Sequence, residues 1–198
     1  MVNYHSTRGH KDTISFEDVI LSGVAPDGGL YLPDSVTLEN LTYLTQEDLS
    51  YEDFVKTIFI SLDQASAKYV EDLNIYPGFK NSPEPVLQDL DDSTVVMELF
   101  HGPTKSFKDY ALQPLGAIAN RRLDELGERG LVIVATSGDT GSAAIQAVKS
   151  SENIDIVVLH PANKVSEYQR KQMTSVIQDN VLNIAVEGSY DDCQRIAK

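Results

Sequence analysis

Beyond residue 94 the chain alternates between short apolar runs and longer segments of mixed character. The apolar runs are nearly unbroken, as is typical of strands buried on both faces of a parallel sheet. They span residues 95–100, 131–135, 154–160 and 181–186. Helices are predicted between them, at about 106–127, 140–150 and 165–179. This succession predicts an α/β fold with a doubly wound parallel sheet that is incomplete at the C-terminus.

The first 85 residues follow a different pattern, with short helices and a turn. Ser15 and Ser50 each stand before acidic residues and an apolar helical face, so each is predicted to begin a helix. A further helix is predicted over 64–73. The glycines and prolines of Ala25–Pro33 predict a turn with an extended tail. Three prolines make 76–85 a predicted connector.

These two patterns predict a small, mostly helical N-terminal subdomain, residues 1–85, followed by an α/β domain, residues 86–198. The last residues, 190–198, have the pattern of a helix that stops after its opening turns. We therefore expect the chain to be the N-terminal fragment of a longer protein.

Charge and cysteine content narrow the classes of function. Thirty acidic against sixteen basic residues give a net charge of −14, which disfavours nucleic acid and anionic membranes as partners. The single cysteine, Cys193, excludes an internal disulfide and is typical of a reducing cytosol. Neither a signal peptide nor an apolar run long enough to span a bilayer is apparent, so we expect a cytoplasmic protein. The four histidines lie at no metal-ligand spacing, and no metal site is predicted.

The stretch Glu98–Tyr110 connects a predicted strand to a predicted helix and carries the first candidate for chemistry. Thr104 or Ser106 is predicted to cap the helix, because a hydroxyl can accept a bond from its first N–H groups. Lys108 then falls in the first turn, where the helix dipole disfavours a cation. Most lysines are solvated surface residues. The dipole supplies at most about 2 kcal/mol, so a nucleophilic lysine here would also need desolvation.

A second candidate is the turn Thr136–Ser142, which also connects a strand to a helix. Its N–H groups and the helix N-terminus could bind an anion, with Gly138 and Gly141 letting the backbone approach a ligand. A tight turn capped by Thr140 or Ser142 explains the same residues equally well. The turn has neither a Walker nor a Gly-x-Gly-x-x-Gly pattern, which disfavours a nucleotide. Both candidate turns lie where open α/β sheets bind ligands.

Four stretches together resemble the threonine synthase family of pyridoxal-phosphate enzymes of fold type II. They occur in the family's order, as Tyr4–Gly9, Asp27–Pro33, Glu98–Asp109 and Ala135–Ala143. The resemblance implies that Lys108 is the catalytic Schiff-base lysine and that Phe107 and Asp139 also contact the pyridoxal 5'-phosphate. It implies a further set of residues for the substrate carboxylate, which are Ser137, Gly138, Thr140 and Gly141. Lys105 and Tyr110 depart from the family pattern, and Lys105 adds a second amine.

In this family O-phosphohomoserine and water are converted to threonine and phosphate, in threonine biosynthesis. The resemblance implies that Lys108 moves protons at the α- and β-carbons of the substrate. Family members also carry a glycine-rich loop for the cofactor phosphate and a polar residue for the pyridine nitrogen. Neither is found here, since Gly188 is the only glycine after residue 142. We therefore expect weak or no cofactor binding, and no turnover, by this chain alone.

Several alternatives stay open. His101 could reach the site or be structural, Arg8 could bind a phosphate or a carboxylate, and Lys105 could contact the substrate phosphate or point to solvent. The chain could also be a pyridoxal-phosphate lyase of the serine/threonine dehydratase type, or a non-catalytic relative. The segment before residue 85 favours threonine synthase over the dehydratase. The sequence indicates no oligomeric state.

Overall fold

The computed structural model describes residues 2–36 and 49–198, which divide into two units between Ile75 and Tyr76. This division falls at the start of the segment predicted to be a connector. The domain limits at residue 85 stay a prediction. Within the described ranges, none of the helices combines the length and the apolarity that a membrane span requires.

The N-terminal unit contains a small antiparallel sheet and short helices. Its strands are β1 (Tyr4–Ser6) and β2 (Tyr31–Pro33). Its helices are α1 (Phe16–Val19), α2 (Tyr51–Leu62) and α3 (Ala67–Val70). Ser15 and Ser50 begin α1 and α2 as predicted, since their hydroxyls accept hydrogen bonds from the N–H groups of Asp18 and Asp53 at 3.3 and 3.1 Å.

The helix predicted over 64–73 is shorter than expected. Asp63 accepts a hydrogen bond from the N–H of Ala65 at 2.9 Å and so begins a 3₁₀ turn, Gln64–Ser66, that precedes α3.

The Asp27 carboxylate connects two of the stretches that carry the family resemblance. It accepts hydrogen bonds from the Ser6 hydroxyl at 2.7 Å and from the N–H of His10 at 2.9 Å. The Ser6 bond is the main reason why the pKa of Asp27 is lowered.

The second unit contains a hairpin, a parallel sheet and four helices. The hairpin pairs β3 (Val86–Asp91) with β4 (Thr94–Glu98). The parallel sheet has the order β5 (Gly130–Ala135), β6 (Ile154–Pro161) and β7 (Val181–Val186). The helices are α4 (Asp109–Leu126), α5 (Asp139–Val148), α6 (Glu167–Thr174) and α7 (Tyr190–Ala197). The α/β fold with a parallel sheet is thereby confirmed.

The core of this unit lies on one face of the central strand β6. Ile154, Ile156 and Val158 are fully buried there, against Ile145 of α5 and Met173 of α6. Burial on both faces was also expected of the other strands. It is wrong for β5 and for β7, where Leu131 and Leu182 are 60% and 54% exposed, because an apolar run does not by itself show which faces of a strand are covered.

The strand predicted at 95–100 was assigned to the wrong sheet. It forms β4, which pairs antiparallel with β3 and joins no parallel strand among the described residues. Val95 and Met97 are 55% and 58% exposed. The cause is the turn before it, where Asp91 accepts a hydrogen bond from the N–H of Ser93 at 2.9 Å and the chain reverses at once. An apolar run fits either kind of strand, so its composition alone could not distinguish them.

Candidate functional site

Lys108 and Asp139 bring the two candidate segments together. The Lys108 Nζ lies 3.9 Å from Oδ2 of Asp139, and also 4.4 Å from the centroid of the Phe107 ring. The Lys108 side chain is 27% exposed and that of Asp139 is 55% exposed. The amine is therefore partly covered yet reachable by a small molecule, which is what a lysine nucleophile requires.

Lys108 stands immediately before the first residue of α4, in the N-cap position. The prediction that Thr104 or Ser106 caps this helix is wrong, because the helix begins at Asp109 and its cap position carries no side-chain bond. Both hydroxyls are engaged within the preceding loop instead. The Ser106 hydroxyl accepts from the N–H of Lys108 at 3.3 Å, and the Thr104 hydroxyl donates to Asp109 at 2.8 Å.

Asp109 anchors the loop that carries Lys108. Its carboxylate is fully buried and accepts hydrogen bonds from the N–H and the hydroxyl of Thr104, at 2.9 and 2.8 Å. Burial raises the pKa of Asp109, and the bonds from Thr104 oppose that shift. A Cβ on Gly102 would collide with the same carboxylate, so glycine is needed at that position. The backbone on which Lys108 stands is thus fixed from the interior.

The turn 136–142 is organised by Thr136, which sequence reasoning did not single out. Its buried hydroxyl oxygen accepts hydrogen bonds from the N–H groups of Gly138 and Gly141, both at 2.9 Å. Helix α5 begins at Asp139 after Gly138, so neither Thr140 nor Ser142 is its cap. The N–H groups of both glycines, expected to be free for a ligand, are occupied by Thr136. The sequence signal that could have indicated this role is a hydroxyl residue directly after a strand, at the start of a glycine-rich turn.

The two glycines of this turn are also required by close packing. A Cβ on Gly141 would lie 2.6 Å from Cγ2 of Thr136 and 2.7 Å from Sδ of Met173. Gly138 has a φ of +141°, a conformation that other residues rarely adopt. Ser137 is exposed and Thr140 is half-buried at the start of α5. The substrate-binding roles of these four residues stay predictions.

Two of the three residues left open by the sequence, His101 and Arg8, have local partners for their side chains. His101 lies 2.7 Å from Oε2 of Glu98, through its Nε2. Arg8, in the N-terminal unit, donates through Nη1 to the carbonyl of Asp27 at 3.3 Å. Lys105 is exposed and has a φ of +62°.

Helix α6 supplies two glutamines that sequence reasoning missed. Gln169 donates through Nε2 to Oδ1 of Asp139, and Gln172 donates through Nε2 to the carbonyl of Thr104 at 2.9 Å. The two residues are three apart and so share one helix face. That spacing is common among surface glutamines, which explains why it carried no signal.

The side chains of Lys108, Asp139 and Phe107 fit a cofactor that carries a carbonyl group. A partly covered amine beside a carboxylate and an aromatic ring suits an aldehyde that condenses with lysine. Across residues 2–36 and 49–198, no three histidine, cysteine or acidic side chains come together as metal ligands would. Fold and site together define an α/β protein with a lysine–carboxylate pair between the loop before α4 and the turn after β5.

Comparison with known proteins gives the family. The family model described as "Threonine synthase N terminus" matches residues 3–70. Threonine synthase of Pseudomonas aeruginosa is 44% identical over 100% of this chain and 43% of its own length. The crystal structure of PLP-bound threonine synthase from Brucella melitensis superimposes with a TM-score of 0.82 and 38% identity, over 99% of this chain and 43% of that one. The crystal structure of threonine synthase from yeast superimposes with a TM-score of 0.83 and 32% identity, over 98% of this chain and 42% of that one.

The chain therefore belongs to the threonine synthase family. It corresponds to the N-terminal portion of its relatives and spans about 43% of the length of the Pseudomonas aeruginosa protein.

Proposed function

We propose that this chain carries the reactive lysine and the substrate-carboxylate turn of a threonine synthase, which converts O-phosphohomoserine and water to threonine and phosphate. The observation that carries the proposal is the 3.9 Å approach of Lys108 to Asp139, since it joins the two segments that resemble the family. Pyridoxal 5'-phosphate is the proposed cofactor, and the Brucella melitensis relative is described as PLP-bound.

In this proposal each residue has a defined task. When bound, pyridoxal phosphate supplies an electron sink for a carbanion next to its nitrogen. Lys108 attaches the cofactor and, as a free amine, holds and moves protons at the α- and β-carbons of the substrate. Phe107 and Asp139, which both lie near the Lys108 amine, would contact the cofactor when it is bound.

The turn after β5 binds the substrate's α-carboxylate. The N–H groups of Gly138 and Gly141 already bond to Thr136. The Ser137 hydroxyl and the N–H groups of Asp139 and Thr140 are therefore the assigned donors. The last two lie in the first turn of α5, where no intrahelical acceptor exists and where the helix dipole favours an anion.

Attachment of the cofactor tests the proposal directly. The protein is incubated with pyridoxal phosphate, reduced with borohydride to fix even weak adducts, digested and mapped by mass spectrometry. We expect the pyridoxyl group on Lys108 and its loss in Lys108→Ala. Lys105→Ala is the matched control, because it removes an exposed amine three positions away and should leave labelling at residue 108 intact. Labelling spread evenly over the exposed lysines would refute the role of Lys108.

The reaction itself is tested with the two candidate substrates. A threonine synthase releases phosphate from O-phosphohomoserine, whereas a dehydratase releases ammonia from threonine. We expect phosphate release, and its absence in Lys108→Ala, from the protein that contains this chain. Ammonia release without phosphate release would favour the dehydratase, and a Lys108→Ala variant with full biological activity would favour a non-catalytic relative.

A further inference from the structure

We infer that helix α6 sets the separation of Lys108 and Asp139, with Gln169 and Gln172 as positioning residues. The inference rests on the proposed function, because it assigns the two glutamines to the same site. One helix face contacts both segments, and each glutamine amide holds one of them.

The first contact leads from α6 to Lys108. Gln172 donates to the carbonyl of Thr104 at 2.9 Å, and Thr104 in turn donates twice to the buried carboxylate of Asp109. Asp109 directly follows Lys108 in the chain. A displacement of Gln172 is therefore transmitted through two hydrogen-bonded residues to the backbone that bears the amine.

The second contact leads from α6 to Asp139. Gln169 donates to Oδ1 of Asp139, while Oδ2 of the same carboxylate is the atom 3.9 Å from the Lys108 amine. The turn also rests on α6 through packing, since Gly141 lies so close to Met173 that a Cβ would be 2.7 Å from its sulfur. The turn is thus held both by an amide and by a buried side chain of one helix.

The ion pair alone could not hold the two segments together. Pairs between exposed charges are worth little, because water competes for both groups, and Asp139 is 55% exposed. Without the amide of Gln169, its carboxylate would spread over rotamers that point to solvent. The hydrogen bonds from α6 are directional and start from a helix whose own first turn is fixed by Ser166, which accepts from the N–H of Gln169 at 3.3 Å.

A zero-length carbodiimide cross-link between Lys108 and Asp139 measures this separation without any cofactor. Its yield is normalised to the link between Lys56 and Glu52, which lie 3.1 Å apart in the N-terminal unit. We expect Gln169→Met and Gln172→Met, which keep the length and remove the donor, each to lower the normalised yield roughly 2- to 10-fold, the effect of one hydrogen bond. Gln178→Met is the matched control, since that side chain is exposed and lies beyond α6.

Thermal unfolding followed by circular dichroism shows whether the variants are folded. Gln172→Glu, which sets a carboxylate against the Thr104 carbonyl, is a second variant and should lower the yield at least as much. Unchanged yields in folded Gln169 and Gln172 variants would overturn the inference. Pyridoxyl labelling spread evenly over the exposed lysines, together with a cross-link yield that depends on both glutamines, would refute the proposed function and support the spacing role of α6.

Discussion

Asp109 accepts two hydrogen bonds from Thr104, one from its backbone N–H at 2.9 Å and one from its hydroxyl at 2.8 Å. The residue next to the candidate lysine is therefore fixed by a neighbour five positions earlier, in the same loop. Burial raises the pKa of the Asp109 carboxyl above its ordinary value of 3.8, and the bonds from Thr104 and Ser106 act in the opposite direction.

Asp109→Asn is expected to change how stability depends on pH. An acid with a raised pKa in the folded state binds more protons folded than unfolded, so stability falls as pH rises from about 3.8 through the raised pKa. The free energy of unfolding of the wild type should decline over that window relative to Asp109→Asn, and then run parallel to it. Urea unfolding at a series of pH values checks this.

Asp91→Asn is the control for that experiment, because Asp91 changes the pH dependence of stability in the opposite direction. The hydrogen bond from the N–H of Ser93 is the main reason why the pKa of Asp91 is lowered. The stability that the Asp91 carboxylate contributes is present above pH 3.8 and is lost as pH falls through its folded-state pKa. Curves for Asp109→Asn and wild type that stay parallel at every pH would show that Asp109 does not titrate differently on folding.

Thr136→Val is expected to destabilise the turn after β5. The valine keeps the shape but leaves the N–H groups of Gly138 and Gly141 without their acceptor. An unsatisfied buried group costs about 1–3 kcal/mol, so we expect the loss of both bonds to lower the free energy of unfolding by roughly 2–6 kcal/mol. Thr136→Ser keeps the oxygen and should lose only about 1 kcal/mol for one methyl group. Equal losses in both variants would assign the effect to packing rather than to hydrogen bonding.

Gly141→Ala is expected to overpack the space between α5 and α6. The new methyl group would lie 2.6 Å from Cγ2 of Thr136 and 2.7 Å from Sδ of Met173, so neighbouring side chains must move. Overpacking of this kind costs about 1–3 kcal/mol. Gly23→Ala is the matched control, because nothing lies within 4 Å of its Cβ position. Urea unfolding of both variants measures the difference, and equal stability would mean that the turn adjusts freely.

The parts of the fold that depend on local chemistry could be predicted from the sequence. Ser15 and Ser50 begin helices as expected, because a hydroxyl before acidic residues satisfies the first N–H groups of a helix wherever the rest of the chain lies. Strands β6 and β7 were recognised by their apolar runs. Lys108 and Asp139 were proposed from the family resemblance, and they lie together.

The parts that depend on contacts distant in sequence could not be predicted. Gln172 reaches Thr104 across 68 positions, and no pattern in a single sequence marks such a pair. The partner of β4 was wrong because the same apolar run suits a hairpin or a parallel strand, and only the reversal at Asp91 decides between them. The helix predicted over 165–179 ends at Thr174. The prediction that Thr104 or Ser106 caps α4 was wrong because both hydroxyls form hydrogen bonds that hold the loop before the helix.

Cys193 is expected to react with thiol reagents only when the protein opens. It is fully buried in α7, and burial, together with the neighbouring Asp192 carboxylate, raises the pKa of its thiol. Because the thiolate is the reactive form, labelling of the native protein should be slow, with one equivalent incorporated on unfolding in urea.

Ser189 caps α7 by accepting a hydrogen bond from the N–H of Asp192 at 3.2 Å. Ser189→Ala should therefore destabilise the helix by about 1 kcal/mol and speed the labelling of Cys193 in the native protein about fivefold. Labelling with a disulfide reagent, followed by absorbance, checks both rates. Native labelling as fast as that of the unfolded chain would show that α7 does not cover the thiol in solution.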